Sequence, residues 1–237
     1  LSARTVPTLT KECPINQIIA PSIKPLQKRN VVIVLMESFG ARYVKSLGGD
    51  DIAPNFEMLK EQGWFFERMY AAGHRSVRGI EAVTASMPIS PLPSIVKLTA
   101  QNELTTIFSV YKKLGYNTSF IYGGESHFDN MRRYFFGNGV DHITEQKDYK
   151  NPKFVSSWGV SDEDLFERAN KNFVEFSKEG KPFASIVFTS SFHDPFDIPE
   201  GKVNIDGIKT DDPKRLLAAK YADYALGKFF EQAQKED

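Results

Sequence analysis

Six consecutive apolar residues, Val31 to Met36, stand between Asn30 and Glu37. A run this short, rich in β-branched side chains and bounded by polar residues, has the pattern of a strand buried on both faces of a parallel sheet. It falls far below the roughly 20 apolar residues of a membrane-spanning helix. Asn117 to Tyr122 and Phe183 to Phe188 repeat the pattern. Helical spacing occupies Pro54 to Gln62, Ser76 to Ser86, Glu103 to Leu114, Asp162 to Lys178 and Pro213 to Lys235. Trp64 to Met69 reads as a further strand. The alternation predicts an α/β domain in which the three apolar runs are neighbours in one mostly parallel sheet with helices on both faces. Residues 1–29 carry Pro7, Pro14, Pro21 and Pro25 without an apolar period, and read as an extended lead-in. Residues 30–237 read as one domain, with no internal repeat and no linker.

Charge narrows the partners. Thirty Lys plus Arg balance thirty Asp plus Glu, so no positive field is available to hold a nucleic-acid backbone or an anionic bilayer. No basic segment followed by an apolar one opens the sequence, so no signal peptide is expected within it. The chain is expected to be water-soluble. Cys13 is the only cysteine, which excludes an internal disulfide and a cysteine-based zinc cluster.

The chemistry is expected where strands end, because open α/β sheets bind ligands outside the carboxyl ends of their strands. Glu37 follows the first apolar run and His193 follows the third, in Ser191–Phe192–His193–Asp194. Ser76 opens a helix within Gly73–His74–Arg75–Ser76–Val77–Arg78–Gly79. There the free backbone N–H groups and the positive end of the helix dipole face an anion, and Arg75 and Arg78 add charge. A hydroxyl attacking a phosphate ester needs deprotonation and charge compensation, which a divalent cation held by carboxylates supplies. Each residue also has a plainer reading: Ser76 as a helix cap, Glu37 as a strand end paired with an arginine, His193 as a solvated loop residue. Gly123–Gly124 lacks the Lys–Ser/Thr ending of a nucleotide P-loop. His74 and His142 have no partner at metal-ligand spacing and read as surface residues.

Several segments recur in a fixed order. Asn30 to Ser38, Gly73 to Ala82, Pro93 to Lys97, Tyr122–Gly123–Gly124, Phe128–Asp129–Asn130–Met131, Trp158 to Phe166 and His193–Asp194–Pro195–Phe196 together resemble the lipoteichoic-acid-synthase and phosphoglycerol-transferase branch of the sulfatase/alkaline-phosphatase superfamily. The resemblance covers roughly residues 28–232 and implies an alkaline-phosphatase-like three-layer α/β/α fold with a mostly parallel central sheet. It also implies a divalent metal, manganese first with magnesium or zinc as alternatives, held by Glu37 and Ser76, and Ser76 as nucleophile where the family carries threonine. His193 matches the family histidine that contacts substrate phosphate. The family's substrate arginine finds Met131 in register with Arg132 beside it, and Arg75 and Arg78 are further candidates. The family completes its metal site with an Asp–His pair after a later strand; this sequence ends at Asp237 before any such strand, so the C-terminal part of the fold is expected to be missing and the ion weakly held.

The implied activity is transfer of phosphoglycerol, or a related phosphorylated head group, from a membrane lipid to an envelope glycan through a covalent serine intermediate. The implied setting is the extracytoplasmic, periplasmic face of a bacterial inner membrane, with a membrane-anchored parent protein. Two alternatives stand beside it. One is a phosphoethanolamine transferase or a sulfatase, though Ser76–Val77–Arg78–Gly79 departs from the Cys/Ser-x-Pro-x-Arg pattern of sulfatases. The other is an inactive module that binds a phosphoglycan or lipid head group.

Overall fold

The three apolar runs are strands of a single parallel sheet. The computed structural model describes residues 28–235 apart from residue 89; most of the 1–29 lead-in, and Cys13 with it, lies outside the described residues. Strand β1 (Val31–Leu35), β2 (Asn117–Tyr122), β3 (His142–Thr144) and β6 (Phe183–Phe188) stand in the order β1-β6-β2-β3, every pair parallel. Strands β4 (Val155–Ser156) and β5 (Gly159–Val160) form a separate small hairpin. All six residues of β6 are buried, as its inner position requires, whereas β1 is an edge among the described strands and leaves Val32 36% exposed.

Period-two alternation sends neighbouring side chains of each strand to opposite faces. Phe120 and Ile186 join one core, beneath helices α2 (Ser76–Ala85), α3 (Ile107–Lys113) and α4 (Met131–Gly137). Ile121 and Val187 join the other, beneath α1 (Pro54–Gln62), α5 (Asp162–Lys178) and α6 (Pro213–Ala233). This is the expected three-layer α/β/α architecture. Each fully buried Leu, Ile or Phe in the two cores contributes about 1.5–3 kcal/mol.

Two expectations are corrected. Trp64–Met69 forms no strand: Trp64 is 92% exposed, Phe66 64% and Met69 76%, and no other described strand lies beside them. The helix read over Glu103–Leu114 begins only at Ile107, because Thr106 Oγ1 accepts from the Ser109 backbone N–H at 3.1 Å while Ser109 Oγ accepts from the Thr106 N–H at 3.0 Å. That reciprocal cap fixes the start of α3.

Candidate active site

The carboxyl ends of β1 and β6 are knitted together. Thr189 N–H donates to the Leu35 carbonyl at 3.1 Å, and Glu37 N–H donates to Thr189 Oγ1 at 2.9 Å. Glu37 therefore leaves the sheet at a fixed height. Both of its carboxylate oxygens accept a hydroxyl: Ser38 donates to Oε1 at 3.0 Å and Ser76 donates to Oε2 at 2.6 Å. Ser76 is the first residue of α2, and Arg75 occupies the capping position without a side-chain cap bond. The Ser76 hydroxyl is thus committed to Glu37 rather than to the helix end, which sets aside its reading as a helix cap. Glu37, in turn, pairs with a serine rather than with an arginine.

These residues open onto a cleft of about 510 Å³ at the carboxyl ends of the strands. His74, Arg75, Lys97, Asp129 and His193 line it with them, and Tyr122, Phe128 and Trp158 form an aromatic side. Lys97 and Asp129 pair at 2.7 Å on the rim. Burial pushes the Tyr122 hydroxyl above the usual tyrosine range and the charge of Glu37 adds to the effect, so Tyr122 remains a neutral phenol. A second groove of about 580 Å³, beside β1, is walled mainly by Val32, Val34, Phe173 and Phe229, with Ser177 and Lys178 also lining it, and holds none of the residues singled out from sequence.

Four of the residues singled out from sequence converge here: Glu37, Ser76, Arg75 and His193. Two others do not. Arg78 donates to Glu81 Oε1 at 2.7 Å, to the Ser90 carbonyl at 3.0 Å and to the Leu92 carbonyl, so its guanidinium braces the segment after α2. Arg132 donates to Glu145 at 2.8 Å and lies over the Phe136 ring; on α4 it is Met131 that faces the cleft. A helix turns about 100° per residue, so Arg132 points well away from the direction of Met131. His74, read as a surface residue, is exposed yet lines the cleft, whereas His142 lies away from it on β3.

Beneath the cleft lies a residue the sequence did not single out. Asp162, fully buried at the start of α5, accepts the backbone N–H groups of Ser190 and Ser191 on Oδ1 at 3.0 and 3.1 Å and returns its own N–H to Ser191 Oγ at 2.9 Å. It clamps the loop that carries Thr189 and His193. Burial raises its carboxyl above the ordinary range, opposed by the two backbone donors. A polar residue just past the Trp158–Ser161 segment was visible in sequence, but its burial was not.

Metal fit follows from the donor chemistry. Glu37 and Ser76 present hard oxygens suited to magnesium or manganese, but among the described residues no group of three His, Cys, Asp or Glu side chains is arranged to hold an ion.

Comparison with known proteins adds family context to this geometry. Residues 29–237 match the sulfatase family model. A crystal structure of an alkaline-phosphatase-superfamily protein from Vibrio parahaemolyticus superposes with a TM-score of 0.84 at 53% identity, covering 88% of this chain and 51% of that one. The lipoteichoic acid synthase LtaP from Listeria monocytogenes superposes with a TM-score of 0.79 at 22% identity, covering 88% of this chain and 52% of that one. Phosphoglycerol transferase I of Escherichia coli O127:H6 is 24% identical over 183 residues, which are 72% of this chain and 24% of the relative. The chain thus spans about half of these solved chains and about a quarter of that curated relative.

Proposed function

The chain belongs to the sulfatase family, and from that premise we propose that it carries the nucleophile of a phospho-head-group transferase. The observation behind this reading is the 2.6 Å hydrogen bond from Ser76 Oγ to Glu37 Oε2 at a helix start. Glu37 is placed to receive the serine proton or to share a cation with the hydroxyl, and the α2 N-terminus and Arg75 favour an incoming anion. Glu37 and Ser76 would hold a divalent ion, manganese first, which when bound supplies a Lewis acid that lowers the hydroxyl's pKa. Attack forms an oxygen–phosphorus bond at Ser76 and releases the lipid alcohol; an acceptor hydroxyl then takes the phosphoryl group from the serine. Phosphoglycerol from a membrane phospholipid, passed to an envelope glycan on the extracytoplasmic side, is the preferred pair, in keeping with the similarity to a phosphoglycerol transferase and a lipoteichoic acid synthase. No described helix is long and apolar enough to cross a membrane, so on this reading anchoring rests with other parts of the parent protein.

Head-group release from a phosphatidylglycerol substrate, measured with manganese titrated in, tests the reading. Ser76→Ala should lower turnover on the order of 10³-fold or more and abolish a trapped phosphoryl-protein adduct; Glu37→Gln should cost on the order of 10²-fold or more. Full activity of Ser76→Ala would remove the serine as nucleophile. The absence of a three-ligand metal group among the described residues favours a second reading, a module that binds a phosphorylated head group without turning it over. Head-group binding without release, at saturating manganese, would establish that reading instead.

A further inference from the structure

The Gly123–Gly124 pair that follows β2 supports a neighbouring backbone. A Cβ on Gly124 would stand 2.5 Å from the Trp158 carbonyl oxygen, and one on Gly123 would stand 3.0 Å from the Val160 carbonyl oxygen. A Cβ on Gly159, at φ +118, would collide with the Gly123 carbonyl, and Val160 N–H donates to that carbonyl at 3.0 Å. The β4–β5 hairpin is therefore seated directly on the turn, at a distance only glycine permits. At its tip stands Trp158, whose ring centre is 3.9 Å from that of His193. Phe128 closes on the tryptophan edge-on at 5.5 Å.

Two donors meet at one acceptor. Trp158 Nε1–H donates to the Asp194 carbonyl at 2.6 Å, and His193 Nδ1 lies 3.0 Å from the same oxygen. A carbonyl oxygen only accepts, so the histidine nitrogen facing it must carry the proton. Nε2 is then the nitrogen left for the cleft.

We infer that Trp158, seated on Gly123–Gly124, is a positioning residue that fixes His193 with Nδ1–H on the Asp194 carbonyl, an arrangement that in the neutral ring leaves the Nε2 lone pair to the cleft. This deepens the transferase reading and rests on it for its catalytic meaning. A neutral His193 so held accepts a hydrogen bond from a hydroxyl, such as that of an acceptor alcohol, and donates to a phosphoryl oxygen only when protonated. The ring orientation is set by the hairpin, not by the loop of His193 alone.

Nitrogen-15 NMR of histidine-labelled protein reads the tautomer without substrate. The chain has four histidines, and His193→Gln assigns the relevant signal. Neutral His193 is expected to show Nδ1–H, the reverse of the Nε2–H form that a free histidine side chain favours in water. Trp158→Phe keeps an aromatic ring but removes the indole N–H that pins the Asp194 carbonyl beside Nδ1, so the carbonyl can turn away and His193 should move toward a mixture of tautomers. It should also lower kcat about tenfold, the worth of one hydrogen bond, with a smaller change in KM. Gly124→Ala, whose Cβ would meet the Trp158 carbonyl at 2.5 Å and the Tyr122 ring at 2.8 Å, leaves the Trp158 and His193 side chains unaltered, displaces the hairpin and should give the same tautomer signature. An Nε2–H wild-type signal overturns the inference even if the variants fail to fold. An unchanged tautomer in a folded Trp158→Phe protein overturns it as well, whatever the activity. Loss of the transferase reading would show separately, as an inert Ser76 in a protein whose His193 tautomer is as expected.

Discussion

Glu145 shows how a residue outside the cleft steadies its wall. Burial pushes its carboxyl up, but hydrogen bonds from Lys147 and from the side chain and backbone of Ser126, with the charge of Arg132, outweigh that and hold it at about 2. The pair with Ser126 ties the loop after β2 to the end of β3. A carboxyl depressed below its ordinary value of about 4.3 adds stability that is present above that pH and lost as pH falls toward 2. Glu145→Gln should therefore lower stability by about 1–3 kcal/mol at pH 7. In urea titrations from pH 7 down to 2, its gap from the parent protein should shrink below about pH 4 and close near pH 2. A gap that persisted unchanged at pH 2 would mean that packing, not charge, is what Gln loses. Legibility at this scale followed chain geometry. Glu37 and His193 could be read because each follows an apolar run, and Ser76 because it opens a helical pattern. Arg132 was misplaced by one position because the phase of α4 depends on what its far face packs against, with Met131, Tyr134 and Phe135 all buried in the core. Trp158 and Asp162 matter only through neighbours distant in sequence, which no local pattern encodes.

Among the elements, α1 borrows its cap from another helix. Ala53 occupies its capping position without a side-chain acceptor, and the carboxylate of Asp223 on α6 accepts the N–H groups of Asn55 at 3.0 Å and Phe56 at 2.7 Å, together with Asn55 Nδ2 at 2.9 Å. The approach is close enough that a Cβ on Gly227 would collide with the Asn55 side chain. Asp223→Ala should destabilise by about 2–3 kcal/mol, since a cap is worth about 1 and a buried charged hydrogen bond more. Amide hydrogen exchange should quicken first at Asn55 and Phe56; uniform quickening across the sheet would show a global effect instead. Pro54–Gln62, Asn117–Tyr122, Asp162–Lys178 and Phe183–Phe188 were legible to the residue, because proline, glycine and polar breaks punctuate them. Trp64–Met69 was not, since its strand-like composition meets no partner strand among the described residues. Short α4 and the two-residue strands of the β4–β5 hairpin carry too few residues to show a period.

At the scale of the whole molecule, the described four-stranded sheet is all parallel, and one of its two inner strands, β6, is the last of them in sequence. β6 separates β1 from β2, so β2 can pair with β3 as soon as that strand is made, but β1 finds no partner in the sheet until β6 exists. Asn30, just before β1, bonds Phe183 across 153 residues of chain. Non-local pairing of this kind slows folding in general. In a cell the order becomes a matter of time: at synthesis rates of about 5–20 residues per second, β1 waits roughly 8–30 s on the ribosome for its partner. Throughout that interval Val31–Leu35 is an unpaired apolar strand, the kind of segment that holding chaperones and stray strand edges both recognise. Nascent chains stalled at increasing lengths should leave β1 open to protease until Phe188 has cleared the exit tunnel, and protected abruptly thereafter. Protection already in place once β2 had emerged would mean that the growing chain shelters β1 by contacts absent from the finished fold.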